Sequence, residues 1–331
     1  MESDVPSPVP TRERSDHEAG AEADGAPSLD SRPVVVDGGH RTVIKPFVDI
    51  EWVEAHRDEV VLADCRWYLD GRSGRDAYDA GHIPGAVFVD LDTALTRHAD
   101  PAEAGRHPLP EPADFAAAMG ALGFGDEDLV VAYDDAGGVI AARLVWMLRV
   151  TGREAALLDG GLGAWRGDLG SDPGPRRLEA GHTDRAPGRF TAHPWPADRL
   201  ATIDEVAAIA DDAPSGPVPV LIDARQRKRY LGEPDGVDPR AGHIPGARSV
   251  PCRENLDADD RLLPDDQLRA NFDLDGATDV ISYCGSGVTA CHNLLTMEQA
   301  GLGAGRLFPG SWSQWSRDPA RPAETAAPST P

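Results

Sequence analysis

The six residues Gly-His-Ile-Pro-Gly-Ala at positions 81–86 return unchanged at positions 242–247. Upstream of each copy an apolar run ends in aspartate, at Asp64 and at Asp223. The two histidines of the stretch are 161 residues apart (243 − 82) and the two aspartates 159 apart (223 − 64). A third match lies downstream, where Gly/Trp-rich segments close both copies. Three matches in one order at nearly one offset indicate a tandem duplication.

Short apolar runs alternate with helical patterns in each copy. Residues 218–223 and 280–283 are apolar or β-branched runs that end in a polar turn, as buried parallel strands do. Residues 141–148 and 290–300 have helical spacing. The sequence therefore predicts an α/β fold in which each copy is a mostly parallel sheet with helices on both faces. Ligands are then expected at the carboxyl ends of the strands.

Changes in composition predict the domain boundaries. Residues 1–38 are acidic and rich in Pro, Gly and Ala, which predicts a disordered tail. Residues 39–167 form the first predicted domain and residues 168–199, rich in Gly and Pro, a linker. The second predicted domain covers residues 200–318, and residues 319–331 are expected to be a second disordered tail.

The charge and the cysteines limit the class of protein. A formal net charge of −24 over 331 residues argues against binding to nucleic acid or to an anionic membrane surface. The four cysteines contain no C-x-x-C pair, so no zinc site, dithiol or disulfide framework is expected. No apolar run reaches the roughly 18 residues of a membrane span. These features favour a reducing, cytoplasmic protein that needs no metal or organic cofactor.

The sequence Cys-Gly-Ser-Gly-Val-Thr at 284–289 is the strongest candidate for chemistry. It lies between a predicted strand and a predicted helix, where unpaired backbone N–H groups stabilise a thiolate. We expect Gly285 and Gly287 to turn the backbone with positive φ. Ser286 and Thr289 can donate hydroxyl hydrogen bonds to a charged sulfur. A cysteine that serves only for packing does not need such a ring of small donors, so Cys284 is predicted to be the nucleophile.

Two observations limit the type of reaction and the domain that can carry it out. Phosphatases with a Cys-x5-Arg loop need an arginine six residues after the cysteine, and this chain has Ala290 there. Phosphate-ester and arsenate chemistry are therefore disfavoured. The first copy has Asp134 at the place equivalent to Cys284, so that half cannot carry a persulfide.

The repeated stretch, the closing segments at 159–165 and 309–315 and the single cysteine loop together resemble tandem rhodanese domains. Over roughly residues 45–318 the chain is similar to the thiosulfate/3-mercaptopyruvate sulfurtransferase family. The thiosulfate branch of this family usually has Arg and Lys directly after the cysteine, where this chain has Gly285 and Ser286. That difference favours the mono-anionic 3-mercaptopyruvate. The resemblance also implies that the first half is structural and lends one wall to the cleft.

The resemblance implies further site residues. Arg229 matches the family arginine that holds the substrate anion, but the second arginine of the family is missing from the shortened stretch at 233–236. We expect Arg240 to substitute for it. Asp76 resembles a family aspartate that helps to activate the cysteine. His82 is placed near the sulfur by the resemblance, although its presence in both copies favours a structural role.

The predicted reaction is a double displacement through a Cys284 persulfide. Besides Arg229, the residues expected to contact substrate are those that follow the cysteine, Gly285, Gly287, Val288 and Thr289. The sulfur passes from 3-mercaptopyruvate to a thiol, to cyanide or to a thioredoxin-like protein. Two alternatives remain open at this point: the same chemistry with thiosulfate as donor, and a persulfide carrier that docks to protein partners.

Overall fold

A computed structural model of the chain describes residues 1, 35–37, 40–42, 44–167, 176–211, 217–234, 236–274, 276–277 and 279–325. Most of the predicted N-terminal tail, part of the predicted linker and the last six residues therefore lie outside the described residues. A short antiparallel hairpin, β1 (Val35–Asp37) with β2 (His40–Thr42), crosses the predicted boundary at residue 38.

The first domain is a five-stranded parallel sheet with strand order β3-β7-β6-β4-β5. Its strands are β3 (Phe47–Val48), β4 (Val60–Asp64), β5 (Val87–Phe88), β6 (Leu129–Tyr133) and β7 (Ala155–Leu158). Its helices are α1 (Ile50–Ala55), α2 (Gly74–Ala80), α3 (Leu91–Ala94), α4 (Pro101–Ala104), α5 (Pro112–Ala121), α6 (Ala142–Val150) and α7 (Gly161–Arg166).

The second domain repeats this plan with four parallel strands in the order β11-β10-β8-β9. Its strands are β8 (Val220–Asp223), β9 (Arg248–Ser249), β10 (Val280–Tyr283) and β11 (Arg306–Leu307). Its helices are α8 (Ile203–Ala210), α9 (Arg227–Tyr230), α10 (Asp265–Phe272), α11 (Ala290–Gln299) and α12 (Ser311–Trp315), with 3-10 turns at Ala197–Arg199 and Cys252–Asn255. The predicted fold class is confirmed.

Both faces of the first sheet are buried, which explains the unbroken apolar runs of its strands. Along β4, Val61 and Ala63 point into one apolar cluster, and Val60 and Leu62 point into another. The strand at 218–223 is shorter than its sequence predicts, because Val218 is 60% exposed and β8 begins two residues later.

The repeated sequence is held in the same way in both domains. Arg66 pairs with the buried Asp64 at 2.7 Å and donates to the carbonyl of Gly81, the first residue of the repeat. Arg225 pairs with Asp223 at 2.6 Å and donates to Gly242 in the second copy. The pairing of each strand-end aspartate with its arginine ties the repeat to the carboxyl end of a central strand.

The segment that follows each domain runs back over the repeat. Glu179, in the predicted linker, exchanges two backbone hydrogen bonds of 2.9 Å with His82. Glu324, in the predicted C-terminal tail, exchanges bonds of 2.8 and 3.0 Å with His243. Parts of both segments therefore belong to the packed structure of their domains.

The two domains share one apolar core. A single cluster contains residues of the first sheet and of the second, and helices α6 and α11 pack against each other at its centre. In each domain one loop joins the central strand to the packed helix, β6 to α6 and β10 to α11. The packing of the two helices therefore brings the carboxyl ends of the two central strands together. In the part of the chain that the structure describes, no helix is long and apolar enough to cross a membrane.

Candidate active site

Cys284 stands at the carboxyl end of β10, at the bottom of a tight loop. Its side chain is buried, and the backbone N–H of Gly287 donates to its Sγ at 3.2 Å. Gly287 has a φ of +75°, and a Cβ there would lie 2.6 Å from the carbonyl oxygen of Pro309, so only glycine fits. The N–H of Cys284 itself donates to Ser311 Oγ at 3.1 Å. The loop thus curls its backbone around the sulfur.

Gly285 has a different role from the one that its position predicts. The φ angle of Gly285 is not positive, so this residue does not provide the left-handed turn that was expected of it. Instead, a Cβ at Gly285 would lie 3.3 Å from Arg106 Nη2 and 3.5 Å from both Nη atoms of Arg229. The missing side chain makes room for two guanidinium groups beside the nucleophile.

A cavity of about 630 Å³ opens above the loop, between the two domains. The second domain contributes Arg229, Arg253, Asp260, Cys284, Gly285, Ser286, Val288 and Thr289 to its wall. The first domain contributes Trp67, Tyr68, Leu69, Asp70, Arg72, Arg106, His107, Asp135, Ala136 and Ile140. Of the residues expected at the substrate, Arg229, Gly285, Val288 and Thr289 therefore line the cavity together with Cys284 and Ser286, and Gly287 does not line it.

Ser286 is linked to two residues of the first domain. Its Oγ lies 2.7 Å from His107 Nδ1, and the Nε2 of that histidine lies 3.4 Å from Asp92 Oδ1. Trp67 Nε1 donates to the other oxygen of Asp92 at 2.9 Å and fixes the carboxylate. With Asp92 accepting from Nε2, the ring presents Nδ1 as an acceptor to the Ser286 hydroxyl. The arrangement is a Ser–His–Asp relay beside a cysteine.

The electrostatics of the relay favour a neutral histidine. Burial lowers the pKa of His107 from its ordinary value, and the charges of Arg106 and Arg143 act in the same direction, against Asp92. The hydrogen bond with His107 is the main influence that lowers the pKa of the Asp92 carboxyl. A neutral imidazole backed by a carboxylate can take a proton from Ser286.

Two arginines meet at one carboxylate above the loop. Arg229 Nη2 lies 2.9 Å from Asp238 Oδ2, and Arg106 Nη1 lies 3.1 Å from Asp238 Oδ1. The side chain of Asp238 is only 2% exposed. One arginine comes from each domain, so the carboxylate joins the two halves of the site.

Arg143, on α6 of the first domain, supports the loop from below. Its fully buried guanidinium donates to the carbonyl of Gly287 at 2.8 Å and to the carbonyl of His107 at 3.1 Å. Burial lowers the pKa of Arg143, and the thiols of Cys291 and Cys284 act in the opposite direction. The contact fixes the cysteine loop and the histidine loop relative to each other.

Besides Gly287, three residues expected at the site lie outside the cavity. Asp76 is exposed on α2, where its N–H donates to the capping Ser73. His82 is fully buried against the ring of Tyr78, with centroids 3.8 Å apart. Arg240 donates to four backbone carbonyls between residues 315 and 321, so it clamps the C-terminal segment. Arg106 lines the cavity together with Arg229.

The remaining cysteines are buried thiols. Burial is the main cause that raises the pKa of Cys252 and of Cys291 to about 12, and it raises that of Cys65 well above the usual range. These three side chains stay protonated at neutral pH and do not compete as nucleophiles. Cys291 packs in α11, with its Sγ 3.4 Å from the carbonyl of Gly287.

Comparisons with known proteins show which family the chain resembles in sequence and fold. The family model described as "Rhodanese-like domain" matches residues 49–168 and again residues 202–318. A probable 3-mercaptopyruvate sulfurtransferase of Pseudomonas aeruginosa is 41% identical over 274 residues, which cover 81% of this chain and 93% of that protein. A putative thiosulfate sulfurtransferase, SseB, of Mycobacterium tuberculosis is 40% identical over 270 residues, covering 80% and 90%.

A solved structure gives the same result at the level of the fold. The crystal structure of the 3-mercaptopyruvate sulfotransferase SseA of Escherichia coli superposes with a TM-score of 0.68 and 33% sequence identity. The match covers 81% of this chain and 99% of that one. The chain therefore belongs to the family of sulfurtransferases that are built from two rhodanese-like domains in tandem.

Proposed function

We propose that this sulfurtransferase takes its sulfur from 3-mercaptopyruvate and carries it as a persulfide on Cys284. The observation that carries the proposal is the pair of guanidinium groups, Arg106 and Arg229, within reach of Gly285 and next to the buried sulfur. Paired arginines bind a carboxylate in a fixed orientation, which places the donor sulfur for attack. The name of the Pseudomonas relative supports the same donor.

The first half-reaction leaves pyruvate and an enzyme persulfide. The Cys284 thiolate attacks the donor sulfur, the donor's C–S bond breaks, and its electron pair leaves as the enolate of pyruvate. The proton of the donor thiol ends on the enolate carbon. Ser286, backed by His107 and Asp92, takes that proton and returns it. The Gly287 N–H stabilises the charged sulfur on Cys284.

The second half-reaction regenerates the thiolate. An acceptor thiolate attacks the outer sulfur of the persulfide, the S–S bond breaks, and Cys284 is released as the thiolate. Low-molecular-weight thiols, cyanide and a reduced thioredoxin-like protein are the proposed acceptors, and a reducing, cytoplasmic setting is the proposed compartment. The four free cysteines are consistent with that setting.

The test compares the two donors. We expect kcat/KM for 3-mercaptopyruvate to exceed that for thiosulfate, and Cys284→Ser to abolish turnover of both, since loss of a catalytic nucleophile costs about a thousandfold or more. Mass spectrometry of the wild-type protein after one equivalent of 3-mercaptopyruvate should find one added sulfur on Cys284, with pyruvate released.

Thiosulfate is the second candidate donor, because the Mycobacterium relative is named for it. A higher kcat/KM for thiosulfate would replace our proposal with that one. If neither donor is turned over although Cys284 accepts sulfur from a protein persulfide, the chain is a carrier that docks to its partners.

A further inference from the structure

An aspartate follows the shortened stretch at 233–236 that lacks the expected second arginine. This residue is Asp238, and its buried carboxylate contacts Arg229 at 2.9 Å and Arg106 at 3.1 Å. Both guanidinium groups also lie within about 3.5 Å of the position that a Cβ on Gly285 would occupy. Two cations and one anion are thus packed together beside Cys284.

We propose that Asp238 and Arg106 set the donor specificity of the enzyme, because the three side chains of this cluster together contribute one net positive charge to the site. This inference rests on the proposed function, because it concerns the choice between 3-mercaptopyruvate and thiosulfate as sulfur donors. One net positive charge matches the single carboxylate of 3-mercaptopyruvate. The dianion thiosulfate would keep an uncompensated negative charge in a partly enclosed site, which costs free energy.

The geometry makes Asp238 a fixed part of the cluster. Its side chain is 2% exposed, and those of Arg106 and Arg229 are 23% and 17% exposed, so water screens their charges only partly. The N–H of Arg106 donates to Ser313 Oγ at 2.9 Å, which holds this first-domain loop against α12. The two arginines therefore reach the same point from opposite sides of the cleft.

The other charged groups of the cavity are placed differently. Asp70 and Arg72 form a pair at the rim, with both side chains more than half exposed. Asp135 accepts a hydrogen bond from Tyr68 at 2.6 Å. Arg253 is exposed and donates to a first-domain carbonyl. The distances to Gly285 single out the Arg106–Asp238–Arg229 cluster as the charge that a donor anion meets beside the nucleophile.

The experiment changes the cluster charge in both directions. Asp238→Asn keeps the shape of the side chain and raises the net charge to two, and the ratio of kcat/KM for thiosulfate to that for 3-mercaptopyruvate should rise about tenfold. Arg106→Gln lowers the net charge to zero, and kcat/KM should fall for both donors, more for thiosulfate. The double variant restores a net charge of one, and its ratio should return toward the wild-type value.

A matched control separates this effect from the charge of the whole protein. Asp279→Asn makes the same change in total charge at an exposed pair with Arg306, outside the cavity. The ratio of kcat/KM for thiosulfate to that for 3-mercaptopyruvate (the donor ratio) should be the same in Asp279→Asn as in the wild type. Thermal melting of each variant checks that the domains are folded.

A second measurement does not need turnover. Alkylation of Cys284 by iodoacetamide should be slowed by pyruvate, a monoanion, in the wild type, and by sulfate, a dianion, more strongly in Asp238→Asn. An unchanged donor ratio and unchanged protection in a folded Asp238→Asn protein would overturn the inference. If the wild type turned over neither donor, the proposed function would fail instead, and the protection assay would still report the charge of the cluster.

Discussion

The ends of β6 and β10 occupy equivalent places in the two domains but are completed differently. In the first domain the buried Asp134 carboxylate accepts 2.7–2.9 Å hydrogen bonds from four backbone N–H groups, those of Ala136, Gly138, Ile140 and Ala141. In the second domain the N–H of Gly287 points at Cys284 Sγ. The same kind of loop is filled by its own anion in one copy and holds a reactive sulfur in the other.

The residue that packs against the loop also differs between the two domains: it is Gly161 in the first and Ser311 in the second. Gly161 in the first domain and Ser311 in the second both have a φ of +52°. A Cβ on Gly161 would lie 2.4 Å from the carbonyl oxygen of Asp134, whereas Ser311 uses its side chain to accept the N–H of Cys284. The two copies therefore share this backbone turn, but only the second copy places a cysteine in the loop.

The first domain nevertheless supplies much of the chemistry. His107, Asp92, Arg106 and Arg143 all come from it, and each reaches the cysteine loop or its cavity across the interface. We therefore expect turnover to depend on the domain that lacks the cysteine as well as on the domain that has it. The next three experiments test this comparison between the halves.

The largest expected effect is on the stability of the first domain. Asp134→Ala leaves four buried N–H groups without their acceptor, and we expect the free energy of unfolding to fall by roughly 4 kcal/mol or more. Cys284→Ser, at the equivalent place, should change stability by less than about 1 kcal/mol. Chemical denaturation followed by circular dichroism measures both. Similar losses in the two variants would mean that the loops are not divided between structure and catalysis.

The next effect concerns the relay and pH. Because the pKa of His107 is lowered, the neutral form persists below the ordinary histidine range, and kcat/KM should fall with decreasing pH only below about 6.5. His107→Gln should reduce kcat/KM about a hundredfold and remove this acid limb. Ser286→Ala combined with it should cost little more, since the two act as one unit. An acid limb that survives in His107→Gln would assign it to another group.

The smallest expected effect concerns a feature that the two domains share, the buried histidine of the repeated motif. His82 and His243 are each stacked on a tyrosine, with centroids 3.8 and 3.6 Å apart, and each has its Nδ1 within 3 Å of that tyrosine's carbonyl. We expect His82→Ala and His243→Ala to cost about 2 kcal/mol each in stability and to leave kcat/KM of the folded enzyme unchanged. A selective loss of activity in His82→Ala would return this residue to the active site.

Patterns that are local or repeated could be predicted from the sequence. The duplication, the buried strands and the cysteine loop all depend on neighbouring residues, and hydrophobic periodicity with turn chemistry is enough to recognise them. Arg66 and Arg225 were predictable for the same reason, because each stands two residues after its aspartate.

The catalytic partners were decided by the tertiary structure. Ser286 and His107 are 179 residues apart in the chain, and Arg106 and Asp238 are 132 apart. Arg106 and His107 belong to no repeat and follow no spacing rule, so no local pattern marks them, whereas His82 lies in the repeated motif and Arg240 lies just before it. Only the packing of α6 against α11 brings one domain's loops to the other's cysteine. Side-chain contacts across an interface depend on how two folded surfaces meet, and local sequence does not encode that.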